Sequence, residues 1–69
     1  MNIVRNLVEI AQAKCQMNDA ELARRAGISA QTLCAAKRGD NCKPVTAGKI
    51  AQALGVPVDS IIKKEGGNV

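Results

Sequence analysis

Apolar residues recur along this chain at spacings of three and four, and polar or glycine residues interrupt them at short intervals. That pattern predicts a set of short α-helices rather than strands. Residues 2–14 read as the first helix, with Ile3, Leu7 and Ile10 on one stripe and Val4, Val8 and Ala11 beside it. So wide a stripe suits a helix that packs against two others. Residues 15–17 form a turn, and Met17 is placed to staple onto the next helix. The second helix covers about 19–26. Asn18 is its N-cap, and Glu21, three residues on, is spaced to reach back to it. Leu22, Ala23 and Ala26 give this helix its apolar face. Gly27 can take positive φ, the conformation in which helices commonly stop.

The pattern then repeats. Ile28 is apolar, Ser29 is a second N-cap, and Leu33 and Ala36 are the inward positions of a third helix over about 30–38, closed by Gly39. Residues 39–45, GDNCKPV, are rich in turn formers and read as a loop. Thr46 caps a fourth helix over about 47–54, with Ile50, Ala51 and Leu54 inward and Gly55 as its terminator. Pro57 opens a short fifth helix over 58–63 with Ile61 and Ile62. Residues 65–69, EGGNV, are expected to form a flexible tail after a domain spanning 1–64. The expected fold is all-α, a compact bundle of about five short helices. Its predicted core holds Leu22, Ala23, Ile28, Leu33, Ile50, Ala51, Leu54 and Ile61.

A helix, a tight glycine turn and a second helix over residues 18–39 make the layout of a helix-turn-helix, whose second helix lies in the major groove of DNA. Charge points the same way. Lys and Arg total 10 against 6 Asp and Glu, a net charge of +4. Lys37, Arg38 and Lys43 bracket the end of the third helix, with Asp40 the only acid among them, and Lys63 and Lys64 lie further on. With Leu33 and Ala36 inward, Ala30, Gln31, Cys34, Ala35 and Arg38 face outward. Gln31 is the best base reader, because one amide can both donate to and accept from adenine. Ser29 suits a base or a phosphate, and Thr32 offers a hydroxyl to phosphate. Ala30 and Ala35 offer only apolar contact, for which a thymine methyl is the natural partner. Arg38, Lys43, Asn41 and Asn18 are the remaining phosphate candidates, with Lys37 pointing to solvent or phosphate.

The same residues resemble a particular family, the lambda-repressor-like DNA-binding domains of Cro and repressor type. The resemblance runs from about Met17 to Ile62. It rests on E-L-A at Glu21 to Ala23, A-G-I-S at Ala26 to Ser29, R-G at Arg38 and Gly39, Pro44 in the loop, and I-A-Q-A-L-G-V at Ile50 to Val56. It implies base reading by Ser29, Ala30, Gln31 and Ala35, and binding as a homodimer, for which Val58 and Ile62 offer an apolar contact. Two positions depart from the family pattern. Many members place Glu where this chain has Lys37, paired with an Arg of the first helix. Many place Gln, a phosphate donor, where this chain has Asp19, which suits the helix dipole but repels phosphate.

Other chemistries find little support. Cys15, Cys34 and Cys42 are three thiols in a chain without His, which does not make a tetrahedral zinc set, so no metal or other cofactor is expected. No secretory leader is apparent and no apolar run reaches the ~20 residues of a membrane helix, so reduced thiols and a cytoplasmic location are expected. An enzyme would need a nucleophile with its base or a cluster of acids, and neither is present. At 69 residues one small domain is expected, without a separate ligand-sensing domain or a small-molecule ligand. The reading is a sequence-specific regulator of transcription that binds double-stranded DNA, of the repressor kind found in phages, mobile elements or bacteria. The alternative is the same fold used to bind protein, as an antitoxin or anti-repressor.

Overall fold

Four α-helices follow one another along the chain: α1 (Arg5–Cys15), α2 (Asp19–Ala26), α3 (Ala30–Lys37) and α4 (Pro44–Leu54). A single 3-10 turn, Val58–Ser60, comes after them. The computed structural model describes residues 2–62. No strand occurs among the described residues, although Ile3 and Ile62 form one isolated antiparallel bridge. The bridge is reinforced where the Val4 amide donates to the Ile61 carbonyl at 2.7 Å.

Each helix ends in the same way. The chain turns into the left-handed region, and two consecutive amides bond back to carbonyls of the last turn. At α2 this residue is Gly27, φ 73°. Its amide donates to Arg24 at 3.2 Å and the Ile28 amide to Ala23 at 3.0 Å. Gly39 and Gly55 do the same after α3 and α4. At α1 the residue is Gln16, φ 56°, the only non-glycine at positive φ among the described residues. The starts of α2 and α3 are equally local. Asn18 accepts from the Glu21 amide at 2.8 Å and Ser29 from the Thr32 amide at 3.1 Å. Glu21 does not reach back to Asn18. Its carboxylate is drawn instead to Arg24 and Arg25, one turn along the same helix.

The core contains no aromatic side chain and is aliphatic apart from Met17. Ala47, Ile50, Ala51 and Leu54 of α4 pack against Leu22, Ala23 and Ala26 of α2, Leu33 and Ala36 of α3, Val8 and Ala11 of α1, and Ile3, Met17 and Ile61. Met17 is buried, as its position before the α2 cap suggests. Seven of the eight expected core residues are buried, and Ile28 is the exception, half-buried and packed against the core edge.

Three expectations about the elements are corrected. The first helix begins at Arg5, not residue 2, because Ile3 is extended and paired with Ile62. The inward set of α1 is therefore Val8, Ala11 and Gln12. Leu7 and Ile10 are exposed, at 40% and 54%, and line a groove with Val56, Pro57 and Ile61. The fourth helix starts at Pro44 rather than after Thr46. Proline is well suited to a first helical position, where its missing amide would have no partner. A fifth α-helix over 58–63 is not formed within the described residues: Pro57 leads into one 3-10 turn, and Ile61 leaves helical geometry to meet the N-terminal segment. The expected tail, 65–69, lies outside the described residues, as do Lys63 and Lys64.

Candidate nucleic-acid interface

The helix α3 owes its two faces to simple periodicity. Leu33 and Ala36 are buried at 0% and 2% exposure, so the residues between them turn outward. Ala30, Gln31, Cys34 and Arg38 are exposed, Ala35 is half-buried, and the five line one shallow groove. The hydroxyls at the start of the helix are occupied. Ser29 Oγ lies 2.8 Å from Thr32 Oγ1 and also caps the Thr32 amide. Gln31 is thus the amide of this face that makes no bond within the described residues.

The outward residues are flanked by cations. Arg38 pairs with Asp40 at 3.2 Å, and Lys43 is exposed with no ion pair among the described residues. Asn41 is exposed on the same connection. The side-chain oxygen of Asn18 is committed to capping α2. Of the two apolar residues expected at a dimer contact, Val58 and Ile62, both are half-buried against the core, which limits the surface they can offer.

Lys37 is the main correction. It points neither to solvent nor toward a phosphate. It is 9% exposed, and its ammonium reaches across to α1 and to the start of α2. Nζ donates to Asp19 Oδ1 at 2.8 Å and to Gln12 Oε1 at 3.1 Å, with Glu9 Oε2 at 3.5 Å. Gln12 Nε2 donates in turn to the same Asp19 oxygen at 2.9 Å. Gln12 is itself buried at 6% exposure, and both of its amide atoms are engaged, Oε1 by Lys37 and Nε2 by Asp19. The partners of Lys37 are thus Glu9 and Gln12 on α1 and Asp19 at the start of α2.

The electrostatic consequences follow from these contacts. The Lys37 hydrogen bond, helped by Gln12, holds the Asp19 carboxyl below the usual carboxylate range. The Arg5 guanidinium, 3.1 Å from Glu9, and then the charge of Lys37 lower the Glu9 carboxyl. Glu21 is lowered chiefly by Arg25.

Sequence reasoning missed Gln12 and Arg5. Gln12 carries a usable signal, since it follows Val8 by four positions and so shares the buried face of α1. Arg5 carries none, because only the tertiary fold brings it to the same cavity as Cys34 and Arg38. Cys15, Cys34 and Cys42 are free thiols, and Cys15 Sγ lies 3.5 Å from the Leu54 carbonyl. Among the described residues no three His, Cys, Asp or Glu side chains gather as metal ligands, and no helix is long and apolar enough to cross a membrane. No protein-family model matches this chain, and no curated protein matches it.

Proposed function

We propose that this protein is a sequence-specific regulator of transcription that binds double-stranded DNA, with α2, the Gly27 turn and α3 acting as a helix-turn-helix of the lambda-repressor-like kind. The observation that carries this reading is the outward face of α3. Its one unengaged amide, Gln31, stands among the small residues Ala30, Cys34 and Ala35, which let a helix sit deep in a groove. Arg38 and Lys43 follow at its end, where the DNA backbone would pass. Gln31 reads a base edge, and Arg38, Lys43 and the amides at the α2 start engage phosphates. Lys37 has no direct part in this, because its charge is spent inside the fold.

A repressor of this size would act by occupying an operator, in the manner of phage, mobile-element or small bacterial regulators, as a homodimer. Selection of bound sequences from a random duplex pool tests the reading. A near-palindromic site with half-sites about one helical turn apart is expected. Equal binding of all duplexes at low salt would overturn it. The exposed groove at Leu7 and Ile10 favours a second reading, a module that binds protein, since apolar surface of this kind suits a protein partner.

A further inference from the structure

Beside the α3 face lies a second, smaller cavity of about 150 Å³, lined by Arg5, Asp19, Cys34, Lys37 and Arg38. Cys34 and Arg38 line both this cavity and the α3 groove, so the two adjoin. Three cations therefore meet one carboxylate at the edge of the surface proposed to enter DNA. From Gln31 to Arg38 the helix rises by ~10 Å, close to the ~12 Å width of a major groove. A duplex seated on Gln31 would bring one strand of its backbone to this cleft.

We propose that the cleft binds one phosphodiester of the DNA backbone, and that Arg5 of α1 is its principal ligand together with Arg38. The inference rests on the DNA-binding reading given above. Arg5 is 64% exposed and touches Glu9 through Nε, which leaves both of its Nη groups without a hydrogen bond among the described residues. Arg38 is 68% exposed and uses Nη2 for Asp40, which leaves Nη1 and Nε. A guanidinium offers several donors in one plane and suits a phosphate bidentately. Asp19 at the lip would repel the phosphate, but its inner oxygen is held by both Lys37 and Gln12. Lys37 is here a positioning residue: it offsets the one carboxylate that lines the cleft. Glu9 and Asp40 compete with the phosphate for the two guanidinia, and this makes the proposal testable in both directions.

The test uses the full chain and the duplex selected from the random pool, alongside a scrambled duplex. Affinities are titrated at several salt concentrations, with melting curves to establish that each variant is folded. Arg5→Gln should weaken binding to both duplexes about 3- to 10-fold and reduce the slope of log affinity against log salt by about one. Glu9→Gln, which releases Arg5, should strengthen binding severalfold. A neutral methylphosphonate placed at successive linkages should cost the wild type affinity at one linkage per half-site and cost Arg5→Gln nothing there. Folded Arg5→Gln with wild-type affinity and slope would overturn the proposal while leaving the DNA reading intact. Loss of affinity in Arg5→Gln at every methylphosphonate position alike would also overturn it. Absence of binding by the wild type would instead remove the reading on which it rests.

Discussion

Replacing Lys37 by Met isolates the buried ammonium, because Met keeps the apolar stem and removes only the charge. Were every group in this network fully buried, deleting one partner would cost about 3–5 kcal/mol. Here the ammonium is buried, but the Asp19 side chain is 49% exposed, so water recovers much of what the carboxylate loses. Gln12 also still donates to Asp19. The expected loss is therefore about 1–2 kcal/mol at pH 7, or a fall in midpoint of roughly 5–15 °C for a domain of this size. The pH dependence gives a second, independent readout. The Asp19 carboxyl is lowered in the folded state, so its contribution is complete above its ordinary value of 3.8 and is lost as pH falls through the lower folded value. Wild type should thus lose stability steeply on acidification, and Lys37→Met should lose less, so the two curves converge at low pH. The assay is urea unfolding followed by circular dichroism between pH 2 and 7. Coupling should appear in the cycle with Asp19→Asn, since the two side chains are in contact. Equal stability of Lys37→Met and wild type at pH 7, with parallel acid limbs, would refute the network as a source of stability.

Three further outcomes are expected. Leu33→Ala removes a side chain that is 0% exposed and should cost about 2–5 kcal/mol in thermal or urea unfolding; an unchanged midpoint would contradict the packing of α3. Gln31→Ala should cost about 1–3 kcal/mol on the selected duplex and relax the preference at one base pair per half-site, as read by repeating the selection with the variant. Gln16→Gly should stabilise the chain by about 0.5–1 kcal/mol in the same unfolding assay, because it relieves a side chain held at φ 56°.

Most of the helical framework was legible because its signals are local. Asn18, Gly27, Ser29 and Gly55 each act on residues within one turn, and each stands in the expected role. The spacing of Leu33 and Ala36 likewise fixed which face of α3 turns outward. What could not be read depends on residues distant in the chain. Ile3 is extended because Ile62 lies opposite it, and periodicity alone placed it in a helix. With the start of α1 misplaced, the stripe rotated, and Leu7 and Ile10 were put inside. Pro44 was read as a loop former, although the same residue also opens helices. Lys37 was read as pointing to solvent or phosphate, and lysines are in general seldom buried. Its partners Asp19, Gln12 and Glu9 are 18, 25 and 28 residues away and no local rule connects them.

The four matching helix stops bear on how the chain reaches this structure. Every stop is assembled from residues no more than five apart, so the limits of each helix can be set before any two helices meet. What remains for the search is the docking of four short rods, in a fold where most contacts are local. Chains of that kind fold in microseconds to milliseconds. The pairing of Val4 with Ile61 is different, because its partners are separated by nearly the whole described chain. Closing so long a loop costs the most chain entropy. That contact should therefore form last as the protein folds, and its amide should exchange with solvent well before those of α2 and α4.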